Sequence, residues 1–407
     1  MSAPPIVIAG AGQAGLEAAA ALREAGYNGP LSLIGAEPHA PYERPPLSKQ
    51  FLASDADAGP DVVALRGADY YQKQSIDLQS GVAVRGIDRK RRTALLSSGE
   101  RLRYSKLILA TGSTPRRLNV PGAGNPDVMV LRSLDDAAAL RGRLAAAYLR
   151  VVVIGAGFIG LEVAAAARAA GHDVTLVEAL DRVIARAVSA PVSQYLADLH
   201  RDRGVRILFE RRVEAIDAYR GGALRTVRLA GGEVIPADLV VVGIGVTPDT
   251  ALAQDAGLEV ADGIVVDEYL RTSDPDIHAI GDCARFPSPH ADGAVRLESV
   301  QNAVDQARCV AEYITRGAAQ AAPYAAVPWF WSDQYTDKLQ IAGITTGHDR
   351  VEIVGDPAEH SFSVYCFAGQ HLLGVESVNR PVDHIRGRRQ LAQLPARAAR
   401  TPEIRAA

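Results

Sequence analysis

The chain has 407 residues, enough for two or three domains with cores large enough to need no disulfide or metal staple. Its 44 Lys and Arg against 47 Asp and Glu leave a net charge of −3, which argues against a nucleic-acid binder working by bulk charge, and 48% hydrophobic with 22% charged residues is a soluble, globular composition. The three cysteines, Cys283, Cys309 and Cys366, form no CxxC and no Cys/His cluster, so neither a disulfide framework nor a metal site is expected, and the cytoplasm is the natural compartment.

The N-terminus, Met-Ser-Ala-Pro-Pro, runs straight into an apolar strand and predicts no signal peptide. That strand, PIVIA, leads into GAGQAG (10–15), an Ala-rich helix ending at Gly26, and a second strand, LSLIGAE, closed by Glu37. The same order recurs: VVVI, GAGFIG (155–160), a helix ending at Gly171, then VTLVEA closed by Glu178. Residues 10–26 align without gaps on 155–171, with 12 of 17 positions identical. LILATGST (107–114), LVVVGIGVTPD (239–249) and IHAIGDCARF (277–286) read as buried strands running into Gly turns, with Pro115 and Pro121 marking a crossover. The remaining apolar stretches are short or Ala-rich and Gly-opened, so no membrane span is expected. After Pro323 the pattern changes to PWFWSDQY and alternating runs such as LQIAGI, RVEIVG, SFSVYCF and LLGVES, which predict an antiparallel sheet. The expected map is a first dinucleotide-binding domain at 1–115 and 245–322, a second at 116–244 inserted into it, and a C-terminal α+β domain at 323–407.

Strand, glycine turn, helix, strand and acid form a dinucleotide fingerprint. The first glycine allows a tight turn, the second lets the backbone approach a pyrophosphate, and the third packs helix on strand; the acid meets ribose hydroxyls. One such motif alone is weak, since a tight turn with no ligand explains it equally well; two in full context favour two dinucleotides in one chain.

With GAGQAG (10–15), RPPLSK (44–49), LATG (109–112), LRSLDDA (131–137), GAGFIGLE (155–162), GIGVTP (243–248), GDCARF (281–286), RLESVQNA (296–303), PWFWSDQY (328–335) and VNRP (378–381) in order, the chain resembles the FAD- and NAD(P)H-dependent pyridine nucleotide oxidoreductases, specifically their putidaredoxin-reductase-like ferredoxin-reductase branch. The resemblance implies a glutathione-reductase-like α/β architecture of two Rossmann-like domains, one for FAD and one for NAD, plus a C-terminal α+β domain. It implies that Gly10, Gly12, Ala14 and Gly15 cradle the FAD pyrophosphate, with Glu37 on the adenosine ribose, Val84 near the adenine, and Arg44, Lys49 and Arg132 supplying positive charge. Asp282 would bond the ribityl chain, although a helix N-cap is an equal reading of that residue alone, and Val300 would approach the isoalloxazine through its backbone. Gly155, Gly157, Ile159, Gly160, Glu178 and Gly245 would serve NADH, with Glu178 and Asp181 repelling a 2′-phosphate and Arg182 partly offsetting them.

Glu162, in the first turn of the second fingerprint helix, has a plain reading as an acid complementing the helix dipole, and Glu17 at the matching place in the first copy supports it. The resemblance adds another, that Glu162 pairs with Lys49 beside the flavin where hydride arrives. The segment PYERPPLSKQFL carries no cysteine, and the three thiols read as buried small hydrophobes, so electrons are expected to leave the flavin singly, toward a [2Fe–2S] ferredoxin serving a cytochrome P450 or a ring-hydroxylating oxygenase. Trp329 and Trp331 either stitch the C-terminal domain to the FAD domain or, for Trp331, lie on the electron exit route. The tail after His384 carries Arg386, Arg388, Arg389, Arg397, Arg400 and Arg405 against Glu403, either a docking patch extended by Arg308 or a solvated terminus. A rubredoxin reductase, an NADH oxidase or diaphorase, and a redox-signalling flavoprotein resembling apoptosis-inducing factor are the competing readings. The partner is expected to bind transiently to a monomer or weak dimer.

Overall fold

The structure is a computed structural model and describes residues 4–54 and 59–395. Two five-stranded parallel sheets dominate it. In the first, the strands run in the order Ile277–Ala279, Lys106–Leu109, Ile6–Ala9, Leu31–Gly35, Asp77–Ser80; in the second, Arg206–Leu208, Asp173–Val177, Arg150–Ile154, Leu239–Val242, Val128–Val130. Each is centred on a strand that leads into a fingerprint, Ile6–Ala9 or Arg150–Ile154, and these central strands are nearly continuous apolar runs because both faces are covered: in the second sheet Val151 and Val153 pack with helical residues, while Val152 and Ile154 pack on the strands at 213–236. The strand order reverses beside each central strand, so a crevice opens at its carboxyl end, where open α/β sheets bind ligands.

The fingerprint helices, Gln13–Glu24 and Phe158–Ala169, end alike. Gly26 N–H donates to Arg23 O and Tyr27 N–H to Leu22 O; Gly171 and His172 repeat the pattern on Arg168 and Ala167. Both are Schellman ends, which require the positive φ that Gly26 and Gly171 adopt. Two antiparallel connector strands, Ser113–Pro115 and Val246–Pro248, join the two sheet units. Residues 277–279 return to the sheet begun by residues 6–9, so that unit is discontinuous in sequence around the other.

The C-terminal region is the antiparallel sheet its alternating pattern predicts, in the order Trp329–Gln334, Asp337–Gly343, His371–Val378, Ser361–Ala368, Arg350–Asp356, followed by the helix Pro381–Gln393. Two small antiparallel sheets, at 84–103 and 213–236, lie in stretches to which the sequence reading assigned no elements. Among the described residues no helix is long and apolar enough to cross a membrane.

Candidate active site

A cleft of 640 Å³ opens at the carboxyl end of the first sheet, within the range of cofactor pockets. It brings together Gly10, Gly12, Ala14, Glu37, Arg44, Lys49, Arg132, Ile159, Glu162, Asp282, Val300 and Trp331. Gly15 lies beneath it, buried against the first sheet. Val84 lies outside it, on the strand Val84–Asp88, although the neighbouring backbone reaches the cleft rim: Gly81 N–H donates to Glu37 O and Val82 N–H to Gly35 O. Gly155, Gly157, Gly160, Glu178 and Gly245 gather instead around the end of the second sheet.

The first glycine turn has the shape of an anion cradle. A Cβ on Gly10, whose φ is +112°, would collide with Ala110 O, and one on Gly15 with Gly10 O, whereas one on Gly12 would meet nothing within 4 Å. The backbone is therefore packed on its protein side and open on its ligand side. No side chain caps the helix that follows, so its first amides are available to an oxyanion. The second turn repeats this: Gly155 and Gly160 are hemmed in by the backbone of Gly243 and Gly155, while Gly157 stands nearly clear. The Glu178 carboxylate accepts from Ala156 N at 2.6 Å and Leu180 N at 2.8 Å, which fixes it beside that turn.

At the far end of the first cradle, Glu37 accepts from Arg44 at 2.6 Å and from the Tyr42 hydroxyl at 2.5 Å; a second Arg44 nitrogen donates to Arg132 O. The Tyr42 hydroxyl also accepts from Leu134 N, so this tyrosine, which sequence reasoning missed, ties the rim to the helix Leu134–Ala146. Asp282 sits inside a short 3-10 turn, Gly281–Cys283, whose N-cap is Ile280. The cap reading of Asp282 is thus set aside: its carboxylate faces the cleft and accepts from Ser113 Oγ at 2.8 Å and Arg132 at 3.0 Å.

The plain reading of Glu162, an acid in the first helical turn, does not match the structure: Glu162 is the fifth residue of the helix Phe158–Ala169, beyond its first turn. The residue is 3% exposed, and its Oε1 lies 2.9 Å from Lys49 Nζ and accepts from Ser332 Oγ at 2.5 Å. Oε2 accepts from Ser48 Oγ. Glu17, at the equivalent helix position, is engaged by Gln13 and the half-exposed Arg66, so the two copies diverge here. Ser48 and Ser332 are site residues that sequence reasoning overlooked.

Phe158 and Phe330 meet across the cleft wall with centroids 4.5 Å apart, and Trp331 stands beside them, 5.7 Å from Trp329. The Trp329 ring packs within the C-terminal region, against His384 of its helix with Arg388 4.9 Å over the ring, and its backbone N–H, not its ring, reaches the helix Val300–Arg316, donating to Gln301 Oε1 at 3.0 Å. Arg386 and Arg308 are exposed; Arg397, Arg400, Glu403 and Arg405 lie outside the described residues.

Cys283 is fully buried and its thiol donates to the Ile280 and Leu109 carbonyls; burial pushes its pKa up. Cys366 is buried likewise. Cys309 is only partly buried, short of the expectation for it, because it lies on the outer part of the helix Val300–Arg316; burial still pushes its thiol up to about 12. None of the three lines the cleft.

Residues 4–307 match the pyridine nucleotide-disulphide oxidoreductase family, and residues 329–402 match the reductase C-terminal family. The chain is 51% identical to rhodocoxin reductase of Rhodococcus erythropolis over 98% of its own length and 91% of that protein. It resembles the crystal structure of the ferredoxin reductase for the CYP199A2 system from Rhodopseudomonas palustris at 48% identity, TM-score 0.93, with 97% of this chain and 96% of that one covered. It also resembles the putidaredoxin reductase in its covalent complex with putidaredoxin, at 41% identity and TM-score 0.92, covering 97% and 94% of the two chains.

Proposed function

The chain belongs to the FAD- and NAD(H)-dependent pyridine nucleotide-disulphide oxidoreductases, and from that membership together with the cleft we propose that it is an NADH-dependent ferredoxin reductase, passing electrons to a [2Fe–2S] ferredoxin of a cytochrome P450 or ring-hydroxylating oxygenase. The observation that carries this reading is the meeting, in one cleft, of an open anion cradle, the Lys49–Glu162 pair and Trp331, with no thiol in the lining. FAD, when bound, supplies hydride acceptance in two electrons and release in single electrons.

The residues divide that work. Gly10, Gly12, Ala14 and Gly15 hold the diphosphate on the backbone amides, Arg44 and Arg132 offset its charge, and Glu37 takes the adenosine ribose with Val84 near the adenine. Asp282 orients the ribityl chain and Val300 the ring. Lys49 and Glu162 would place the nicotinamide, and the Lys49 ammonium would offset negative charge developing on the flavin ring. Gly155, Gly157, Ile159, Gly160, Gly245 and Glu178 hold NADH, Glu178 taking the ribose 2′-hydroxyl and disfavouring NADPH. The corresponding domains are 1–115 with 245–322 for FAD, 116–244 for NADH and 323–407 for the acceptor side.

Trp331 lies on the exit route, and Arg386, Arg388, Arg389 and Arg308 steer an acidic ferredoxin toward it. The encounter is transient and electrostatic, on a cytoplasmic monomer or weak dimer. The deciding experiment compares NADH turnover with a [2Fe–2S] ferredoxin present against turnover in oxygen alone. Ferredoxin reduction should exceed oxygen consumption by at least tenfold; an oxidase that ignores ferredoxin would overturn the reading.

A further inference from the structure

The strand Trp329–Gln334 alternates with a purpose. Phe330, Ser332 and Gln334 face the second dinucleotide unit: Phe330 meets the Phe158 ring, Ser332 Oγ meets Glu162, and Gln334 Oε1 meets His200 Nε2 at 2.8 Å. Two residues along a strand advance about 6.8 Å and four residues along a helix about 6 Å, so Phe330 and Ser332 reach Phe158 and Glu162, four residues apart on one helix face. This match sets Ser332, itself fully buried, against a carboxylate that is nearly so.

Glu162 thereby receives three donors from two separate segments: Lys49 and Ser48 from the stretch at 44–49, and Ser332 from the C-terminal sheet. A buried carboxylate is held only as well as its donors hold it, and a glutamate has enough rotamer freedom to swing when one is removed. Ser332 shares Oε1 with the Lys49 ammonium, so it fixes the oxygen that positions the cation.

We propose that Ser332 is a positioning residue for hydride transfer: through its 2.5 Å hydrogen bond it keeps the Glu162 carboxylate where it aligns the Lys49 ammonium at the cleft, so that the C-terminal sheet completes the hydride site. This rests on the reading of the cleft as the hydride site, and it assigns to the C-terminal sheet a part in flavin reduction as well as in electron exit. A serine that merely glued the sheet to the helix would affect stability and leave the reduction step alone.

The test uses FAD-loaded full-length protein in four forms beside wild type: Ser332→Ala, Ser332→Thr, Glu162→Ala and the double variant Ser332→Ala/Glu162→Ala. Anaerobic stopped-flow with NADH gives the limiting rate of flavin bleaching and the apparent Kd, and a dye-equilibrated titration gives the potential of the bound flavin. Ser332→Ala should lose about tenfold in limiting rate, equivalent to about 1.4 kcal/mol, with Kd within about twofold and a lowered potential. Ser332→Thr, which keeps the hydroxyl, should recover both, and the double variant should be no slower than Glu162→Ala. A wild-type rate and potential in Ser332→Ala alongside a slow Glu162→Ala, or losses that multiply in the double variant, would overturn the proposal and leave the hydride site standing. A wild-type rate in Glu162→Ala would overturn the hydride-site reading itself.

Discussion

Lys49 Nζ stands 2.9 Å from the Glu162 carboxylate, the lysine coming from the loop beside the first fingerprint and the acid from the helix of the second. The pair bridges the two fingerprint-bearing sheet units, and both residues line the same cleft. An ion pair this buried is a poor source of net stability, since desolvation offsets its attraction, which favours a role in the chemistry. Lys49→Ala is expected to slow flavin reduction by NADH about tenfold or more while FAD retention on a desalting column stays near wild type. Loss of FAD in step with loss of rate would assign the lysine to cofactor binding alone.

The two glycines flanking the first turn should separate folding from cofactor binding. Gly15→Ala drives a methyl into the Gly10 carbonyl, so little soluble protein is expected. Gly12→Ala meets only open space and sits in extended backbone, so the apoprotein should fold with a wild-type circular dichroism spectrum yet bind FAD at least tenfold more weakly. Fluorescence titration of apoprotein with FAD checks this.

Coenzyme choice turns on Glu178. Its carboxylate is already oriented by Ala156 N and Leu180 N, so it presents a fixed negative charge at the turn. The kcat/KM for NADH should exceed that for NADPH by about a hundredfold, and Glu178→Ala should narrow the ratio by about tenfold, chiefly by losing NADH. Equal use of both coenzymes by the wild type would remove this role.

For the outward step, Trp331→Ala should slow ferredoxin reduction at least tenfold while leaving ferricyanide turnover, which needs no docking, within about twofold. Replacing Arg386, Arg388 and Arg389 together by Ala should lower the ferredoxin on-rate and flatten its decline with salt. A salt-insensitive wild-type rate would make the basic helix a solvated surface and nothing more.

Acid should weaken the fold through buried histidines. Burial holds His278 down to about 3, helped by nearby Lys106, and holds His200 down to about 4. Neither His278 ring nitrogen has a partner in the described structure. A depressed folded-state pKa means that the unfolded chain takes up the proton first, so this contribution is complete above about pH 6.5 and is lost progressively as pH falls toward the folded values. At pH 5 one such group accounts for about 2 kcal/mol. His278→Phe should therefore gain on wild type in Tm as pH drops from 7 to 5, as differential scanning calorimetry will show.

Much of this was legible before the structure. The repeated glycine turns carry their own physics, and alternation after Pro323 announced the antiparallel sheet, because both rest on local periodicity. The partners of Glu162 did not have that advantage. A serine's hydroxyl gives no periodic signal, and the contact joins positions 162 and 332 across two domains. The only available clue was the presence of Ser48 and Ser332 inside PPLSK and WSDQ, beside residues already singled out. Asp282 was undecided for the opposite reason: its local context fits a cap, and only the approach of Ser113 and Arg132 from elsewhere settles where its carboxylate points.

The strand Trp329–Gln334 also bears on how such proteins can be re-engineered. Exchanging the region after Pro323 for that of a relative looks like a clean way to change the electron acceptor, since the change in pattern there resembles a module boundary. Yet alternate residues of its first strand pack against helices of the second sheet unit, at Phe158, Glu162 and His200. A chimera that moves the tryptophans brings foreign neighbours to those three side chains as well, so acceptor specificity in this scaffold cannot be transplanted without carrying its helix partners along.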